Sequence, residues 1–384
     1  MERLWTRSFV LMSVGSLFLF TGFYLLLPTL PLFIQELGGL DTQVGLAAGV
    51  FTFAAVMIRP FAGGLLDRYG RRPFLLAGLL VFTVSMYLYG WVGGIAALLI
   101  VRLIHGIGWG FATTAAAAAI ADIVPPARRG EGMGWYGLAT TLAMAVGPIL
   151  GVWTLESYTF RGVFLLALAL SLASLLAMSV PRLTFQPAQE RKRIEIYDAS
   201  TVPVSIAVAF LAFAYGAVTT FLPLFAVTID VNPGVYFLVY ALSLTLARPL
   251  AGTLSDRHGE ATVIIPGTAL IIGALVVLST ATGIGGVIAA AVLYGIGFGS
   301  AQPALQAAIL SMVPKERFGV ANASFFTAFD LGIALGSTLL GWVADWLGYR
   351  ALFTAGGVSL AISLAVFVAF VRPRLRRRSE VVAS

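Results

Sequence analysis

Arg59-Pro-Phe-Ala-Gly-Gly-Leu-Leu-Asp67-Arg68-Tyr-Gly70 occurs twice in this chain. It returns 189 residues later as Arg248-Pro-Leu-Ala-Gly-Thr-Leu-Ser-Asp256-Arg257-His-Gly259, with eight of twelve positions identical. The same offset lays Gly106-Ile-Gly-Trp-Gly110 on Gly295-Ile-Gly-Phe-Gly299, Val124-Pro125 on Val313-Pro314, Arg161 on Arg350 and Phe164 on Phe353. Pro31-Leu-Phe33 matches Pro223-Leu-Phe225 after a shift of three, so the second copy has a shorter first outer loop. One offset sustained along most of the chain marks an internal duplication.

Each copy is mostly apolar. The 384 residues are 59% hydrophobic and 11% charged, with a mean hydropathy of +0.95, against roughly 45–50% and about 25% in soluble domains. A helix needs about 20 apolar residues to cross the hydrocarbon. Twelve candidate spans lie near 8–33, 43–66, 74–92, 95–120, 132–154, 162–180, 203–227, 234–254, 262–281, 284–311, 319–343 and 350–371. The runs are continuous rather than alternating, which selects helices over a barrel. The expected fold is all-α and membrane-embedded, with twelve helices in two pseudo-symmetric six-helix bundles around a central cavity. Residues 1–181 form the first bundle, 182–202 a charged cytoplasmic linker, 203–372 the second bundle and 373–384 a basic tail. Parallel repeats of this kind place a substrate site where the halves meet, near the bilayer midplane.

Charge distribution sets the expected orientation. With the N-terminus in the cytoplasm, cytoplasmic segments hold 19 of the 24 Lys and Arg, and only Arg161 and Arg350 fall outside. This positive-inside bias predicts that both termini are cytoplasmic. It also accounts for the net charge of +7 without nucleic acid as a partner. The first apolar run is too long for a signal-peptide core, so it is expected to remain as the first span. No cysteine is present and only His105 and His258 supply imidazole, which argues against a structural metal. No Gly-x-x-x-x-Gly-Lys-Ser/Thr loop occurs, which disfavours an ATP-driven pump. No repeated filter segment suggests a channel.

The segment Gly63-Gly-Leu-Leu-Asp67-Arg68-Tyr-Gly70-Arg71-Arg72 lies between spans 2 and 3. It closely resembles the loop signature of the major facilitator superfamily. The resemblance implies that Gly63, Asp67, Arg68, Gly70, Arg71 and Arg72 form a cytoplasmic gate, with Asp256 and Arg257 as a weaker second copy. That copy has Glu260 and Ala261 where the first has two arginines. Span 4 carries Arg102-Leu-Ile-His105-Gly106, similar to the arginine signature of proton-coupled members, with His105 where many drug antiporters have glutamine. Span 5 carries Gly147-Pro148-Ile-Leu-Gly151, similar to the Gly-Pro motif of the drug:proton antiporter (multidrug efflux) subset. Ala143 and Val152 depart from that motif, and its second-half counterpart, Gly336-Ser337, lacks the proline.

One acid stands apart. Asp330 is about twelve residues into span 11, roughly 18 Å along a helix rising about 1.5 Å per residue, whereas the other acids sit at helix ends, loops or tails. A carboxylate at that depth costs about 2.5–3.5 kcal/mol or more on insertion scales, and intramembrane acids are functional by default. Asp330, Arg102 and His105 are therefore the expected proton-coupling residues, with the proton as coupling ion and no other cofactor or metal. Polar and aromatic residues offered for a substrate cavity are Tyr24, Thr113, Tyr136, Tyr215, Tyr294, Gln302, Gln306, Asn322 and Phe325. Each is also an ordinary packing residue. The expected function is proton-coupled export of small amphipathic molecules from the cell membrane by a monomer that is not an enzyme. The competing reading is proton-coupled transport of a defined metabolite such as a sugar, an organic acid or a metal-chelating molecule.

Overall fold

The computed structural model describes residues 4–125, 128–181, 183, 199–314 and 317–375. Its long elements are α-helices throughout. In chain order they are α1 (Arg7–Tyr24), α2 (Leu26–Glu36), α3 (Asp41–Tyr69), α4 (Arg71–Tyr89), α5 (Ile95–Ile123), α6 (Arg129–Ser157) and α7 (Phe160–Ser179). They continue with α8 (Val202–Thr228), α9 (Pro233–His258), α10 (Ala261–Thr280), α11 (Ile284–Ser311) and α12 (Phe318–Val366). The expected linker 182–202 and tail 373–384 lie for the most part outside the described residues.

Eleven stretches among the described residues are long and apolar enough to cross a bilayer. The first joins α1 and α2 across Leu25. The last runs from Val320 to Leu375, 56 residues, or roughly 84 Å at about 1.5 Å per residue, far more than a bilayer core of about 30 Å. Gly348 breaks it, with φ +79°, so the stretch is two spans and the total is twelve. The sequence reading placed a loop at 344–349. The chain instead reverses at one glycine, because only glycine adopts a positive φ without steric cost. Gly70 and Gly259, at φ +91° and +85°, make equivalent turns after α3 and α9.

The chain forms two compact units. One contains Met1–Gly39 with Val50–Lys192, and the other Leu40–Gly49 with Arg193–Ser384. In the first, α1 packs on α6 and α7, and α4 on α5; in the second, α8 packs on α12, and α9 and α10 on α11. Leu246, Leu250 and Trp346 are more than 70% exposed, as suits side chains solvated by lipid. Buried hydroxyls bond within their own helices: Thr83 donates to the Leu79 carbonyl (2.8 Å) and Thr268 to that of Ile264 (2.8 Å). In a medium without water such back-bonding satisfies an otherwise costly group.

The duplication reaches individual contacts. A Cβ on Gly106 would strike the Phe51 carbonyl, and one on Gly295 the Tyr240 carbonyl. Gly108 meets Gly78 and Phe82 as Gly297 meets Gly267 and Ile271, and Gly110 meets Ala55 as Gly299 meets Leu244. Every pair is related by the offset of 189. Ser174 donates to the Gly15 carbonyl at 2.8 Å, and Ser363, 189 residues on, to the Ala207 carbonyl at 2.7 Å. Close backbone approach is what small residues allow between membrane helices.

The N-terminus of α3 belongs with the second unit. The Asp345 carboxylate accepts from the Asp41 and Thr42 backbone N–H groups at 2.8 and 2.9 Å, and the Tyr349 hydroxyl donates to Asp41 Oδ1 at 3.0 Å. First-turn N–H groups have no intrahelical acceptor, and an anion there also meets the favourable end of the helix dipole.

Candidate functional site

The glycine contacts of α5 hold its inner face against α3 and α4, and this fixes Arg102 and His105. His105 is wholly buried and Arg102 is 6% exposed. The Arg102 guanidinium carbon lies 4.2 Å from the Phe51 ring centroid, an arrangement attractive for a desolvated cation. Tyr89, on α4, is buried beside them. Its hydroxyl is 3.0 Å from His105 Nδ1. The imidazole is ringed by Phe51 at 4.7 Å, Phe82 at 4.8 Å and Phe23 at 6.4 Å between centroids. The structure thus brings the two expected span-4 residues into one cluster and adds Tyr89 and Phe51.

In the second unit, Asp330 is 8% exposed on α12. The helix presses closely on α8 there: a Cβ on Gly332 would strike the Ala209 carbonyl, and one on Gly336 that of Phe213. Neighbouring Phe329 lies 5.8 Å from Tyr215, which stacks on Phe298 at 4.6 Å, and Phe325 stacks on Phe329 at 6.1 Å. The same aromatic group continues through Tyr294 to Tyr240 and Tyr236. The hydroxyls of Tyr236, Tyr240 and Tyr294 are buried and have no hydrogen-bond partner among the described residues. Gln306 Nε2 donates to Asn322 Oδ1 at 3.1 Å, so these two expected cavity residues meet each other.

Other expected residues are engaged locally. Thr113 donates to the Trp109 carbonyl at 2.7 Å. Tyr24 packs on Phe20 and Phe23, and Tyr136 and Gln302 are half-buried. Gly147 and Gly151 bring α6 against the junction of α1 and α2: a Cβ on Gly147 would lie 2.6 Å from Tyr24 Cβ, and one on Gly151 would strike the Leu25 carbonyl. Pro148 sits between them inside α6.

At the loop between α3 and α4, Gly63 and the Asp67 side chain lie outside what the structure describes. Arg68 is exposed and stacks over Tyr69. Arg71 Nε is 2.8 Å from an Asp122 carboxylate oxygen at the end of α5. The N–H points off that line, so this is a charge contact rather than an aligned hydrogen bond. Arg71 also donates to the Leu66 carbonyl at 2.9 Å, and Arg72 to the Ser179 carbonyl at 3.1 Å. Asp256 and Arg257 are exposed at the end of α9. In the second unit the matching contact is Ser311 donating to Glu260 Oε1 at 2.7 Å. These residues stand 189 positions after Asp122 and Arg71.

The profile of the Major Facilitator Superfamily matches residues 12–245 and 232–384. The chain belongs to that superfamily. It is a multi-pass membrane protein and a secondary transporter of a small-molecule substrate, and it is not an enzyme. Relatives span nearly its whole length. The Staphylopine export protein of Staphylococcus aureus is 24% identical over 97% of this chain and 98% of its own. The Multi-drug resistance efflux pump PmrA of Streptococcus pneumoniae is 26% identical over 94% of each. The Multidrug resistance protein MdtG of Citrobacter koseri is 26% identical over 99% of this chain and 98% of its own. Among solved structures, a bacterial homolog of the human lysosomal transporter Spinster, inward-facing and occupied, aligns with a TM-score of 0.84 at 15% identity, covering 98% and 99% of the two chains. The nucleoside transporter NupG (D323A mutant) aligns at 0.80 and 14%, covering 94% of this chain and 99% of its own. These likenesses establish the superfamily fold: all-helical, in twelve spans.

Tyr89, Phe51, Tyr236, Tyr240, Asp122 and Asp345 were not read from the sequence. The offset of 189 carries Phe51 to Tyr240 and His105 to Tyr294, a signal available in the sequence once the duplication is applied beyond its motifs. Tyr89 has no such signal, since it stands at the end of an apolar run where an interfacial aromatic is ordinary.

Proposed function

We propose that this transporter exports small amphipathic molecules in exchange for protons, by alternating access between the two membrane faces, with Asp330 as the proton-carrying group. The burial of Asp330 within α12 carries the reading. Neutralising a carboxylate there by a proton removes the cost of moving a charge through hydrocarbon. Substrate and proton then compete for the same state, since a ligand shifts an equilibrium only through differential affinity. Arg102 supplies a fixed positive charge in the other unit. Two relatives are named as multidrug proteins, which supports an amphipathic substrate range. The relative named for staphylopine export supports the second reading, proton-coupled movement of a single metabolite.

The test uses proteoliposomes with an internal pH dye and an imposed pH gradient, screening lipophilic cations, anions and sugars. Substrate-dependent proton movement is expected in wild type and is expected to vanish in Asp330→Asn. Undiminished coupling in Asp330→Asn overturns the assignment. A response to one metabolite class alone favours the second reading.

A further inference from the structure

The Tyr89–His105 contact fixes more than proximity. A phenol has one proton to give and can accept. His105 Nδ1 lies 3.0 Å from the Tyr89 oxygen, and Arg102 and His105 both lie against the Phe51 ring, at 4.2 and 4.7 Å. His105 Nε2 has no hydrogen-bond partner among the described residues. Tyr89 and His105 are both buried, so no solvent completes the set.

Three proton arrangements are open to His105. In the first, Tyr89 gives its proton to Nδ1, and the imidazole is neutral with its own proton on Nε2. One group is then left over, the Nε2–H, in an imidazole packed against Phe82 at 4.8 Å and Phe51 at 4.7 Å between centroids. In the second, the proton sits on Nδ1 and is given to Tyr89. The phenol proton then loses its acceptor, and the Nε2 lone pair is also orphaned. The third is the imidazolium. It orphans the phenol proton, leaves Nε2–H without a strong acceptor, and sets a second positive charge beside Arg102. Buried polar groups left unmade are penalised, and like charges close together in low dielectric repel strongly. The first arrangement leaves one orphan, the others two.

We infer that Tyr89 is a positioning residue that locks His105 as the neutral Nε2–H tautomer by donating to its Nδ1. The charged groups facing the imidazole are Arg102 on its own helix and, among titratable groups, Tyr89 on α4; α1 and α3 present Phe23 and Phe51. This goes beyond the proton-antiport reading and stands whether or not Asp330 carries the proton.

The chain holds only two histidines, so 15N-histidine labelling gives one buried and one exposed reporter. The protein in lipid nanodiscs is titrated from pH 5 to 8 by NMR, with His258→Asn for assignment. The expected His105 spectrum is that of a neutral Nε2–H imidazole throughout. Tyr89→Phe is expected to shift the Nδ1 resonance by removing its donor. A wild-type Nδ1–H or imidazolium signature at His105 overturns the inference. So does an unchanged spectrum in Tyr89→Phe. The wild-type spectrum decides the tautomer even if a variant fails to fold. No substrate or gradient enters the measurement, so its failure and that of Asp330 coupling are separable.

Discussion

The two halves keep the same backbone contacts and spend their polar groups differently. Gly106 on Phe51 and Gly295 on Tyr240 are one contact made twice. Around that shared contact the first half carries Arg102 against Phe51 and a Tyr89–His105 hydrogen bond. The second carries Ala291 at the position of Arg102, Leu278 at that of Tyr89 and Tyr294 at that of His105. On the helix of the Gly-Pro motif the asymmetry reverses. Asp330 stands 189 residues after Thr141, whose hydroxyl donates to the Gly137 carbonyl at 2.9 Å. Each half thus buries a charge of opposite sign on a non-equivalent helix. Shape is conserved by contacts that any apolar chemistry satisfies, whereas the buried residues Arg102 and Asp330 each occur in one half alone, as suits a charge that costs about 2.5–3.5 kcal/mol within a membrane.

The largest expected effect tests the shared part. Gly106→Leu and Gly295→Leu each drive side-chain atoms into a neighbouring backbone, and overpacking of this kind costs about 1–3 kcal/mol or more. Both are expected to lower the thermal midpoint in detergent, followed by size-exclusion recovery, to a similar degree. Tolerance in one half alone breaks the equivalence. A middle-sized effect tests the unshared part. Tyr89→Phe leaves His105 Nδ1 without its donor and is expected to cost about 1–3 kcal/mol, whereas Tyr294→Phe removes a buried hydroxyl that has no partner among the described residues and is expected to be neutral or stabilising. Equal losses on thermal unfolding break that contrast. The smallest effect is at the helix ends around Arg71 and Asp122. Asp122 is 50% exposed beside Arg71, so Asp122→Ala is expected to cost under about 1 kcal/mol and to matter less as salt rises. Ser311→Ala, which removes the donor to Glu260, is expected to show no such salt dependence.

The duplication and the twelve spans were legible because each is a property of the chain read along its length. Apolar run length and a constant offset need no knowledge of which helices touch. The partners were less legible. Tyr89 and His105 are separated by 16 positions on different helices, and an aromatic at a helix end looks the same whether it meets lipid or an imidazole. Tyr236 and Tyr240 lie in the second copy, outside the loop motifs by which the repeat was recognised. The turn at Gly348 was read as a loop because its flanking residues, Asp345-Trp-Leu-Gly-Tyr-Arg350, are polar enough to suggest one. The backbone needed only one residue with positive φ.

The start of α3 is held by a carboxylate 304 positions further along the chain. At synthesis rates of about 5–20 residues per second, Asp345 follows Asp41 out of the ribosome by roughly 15–60 s. Throughout that interval the second span is in the membrane with its first turn uncapped. The nascent first half therefore waits, incomplete at one helix end, for a residue from the last sixth or so of the chain, and a truncated product ending before Asp345 retains the unfinished end permanently.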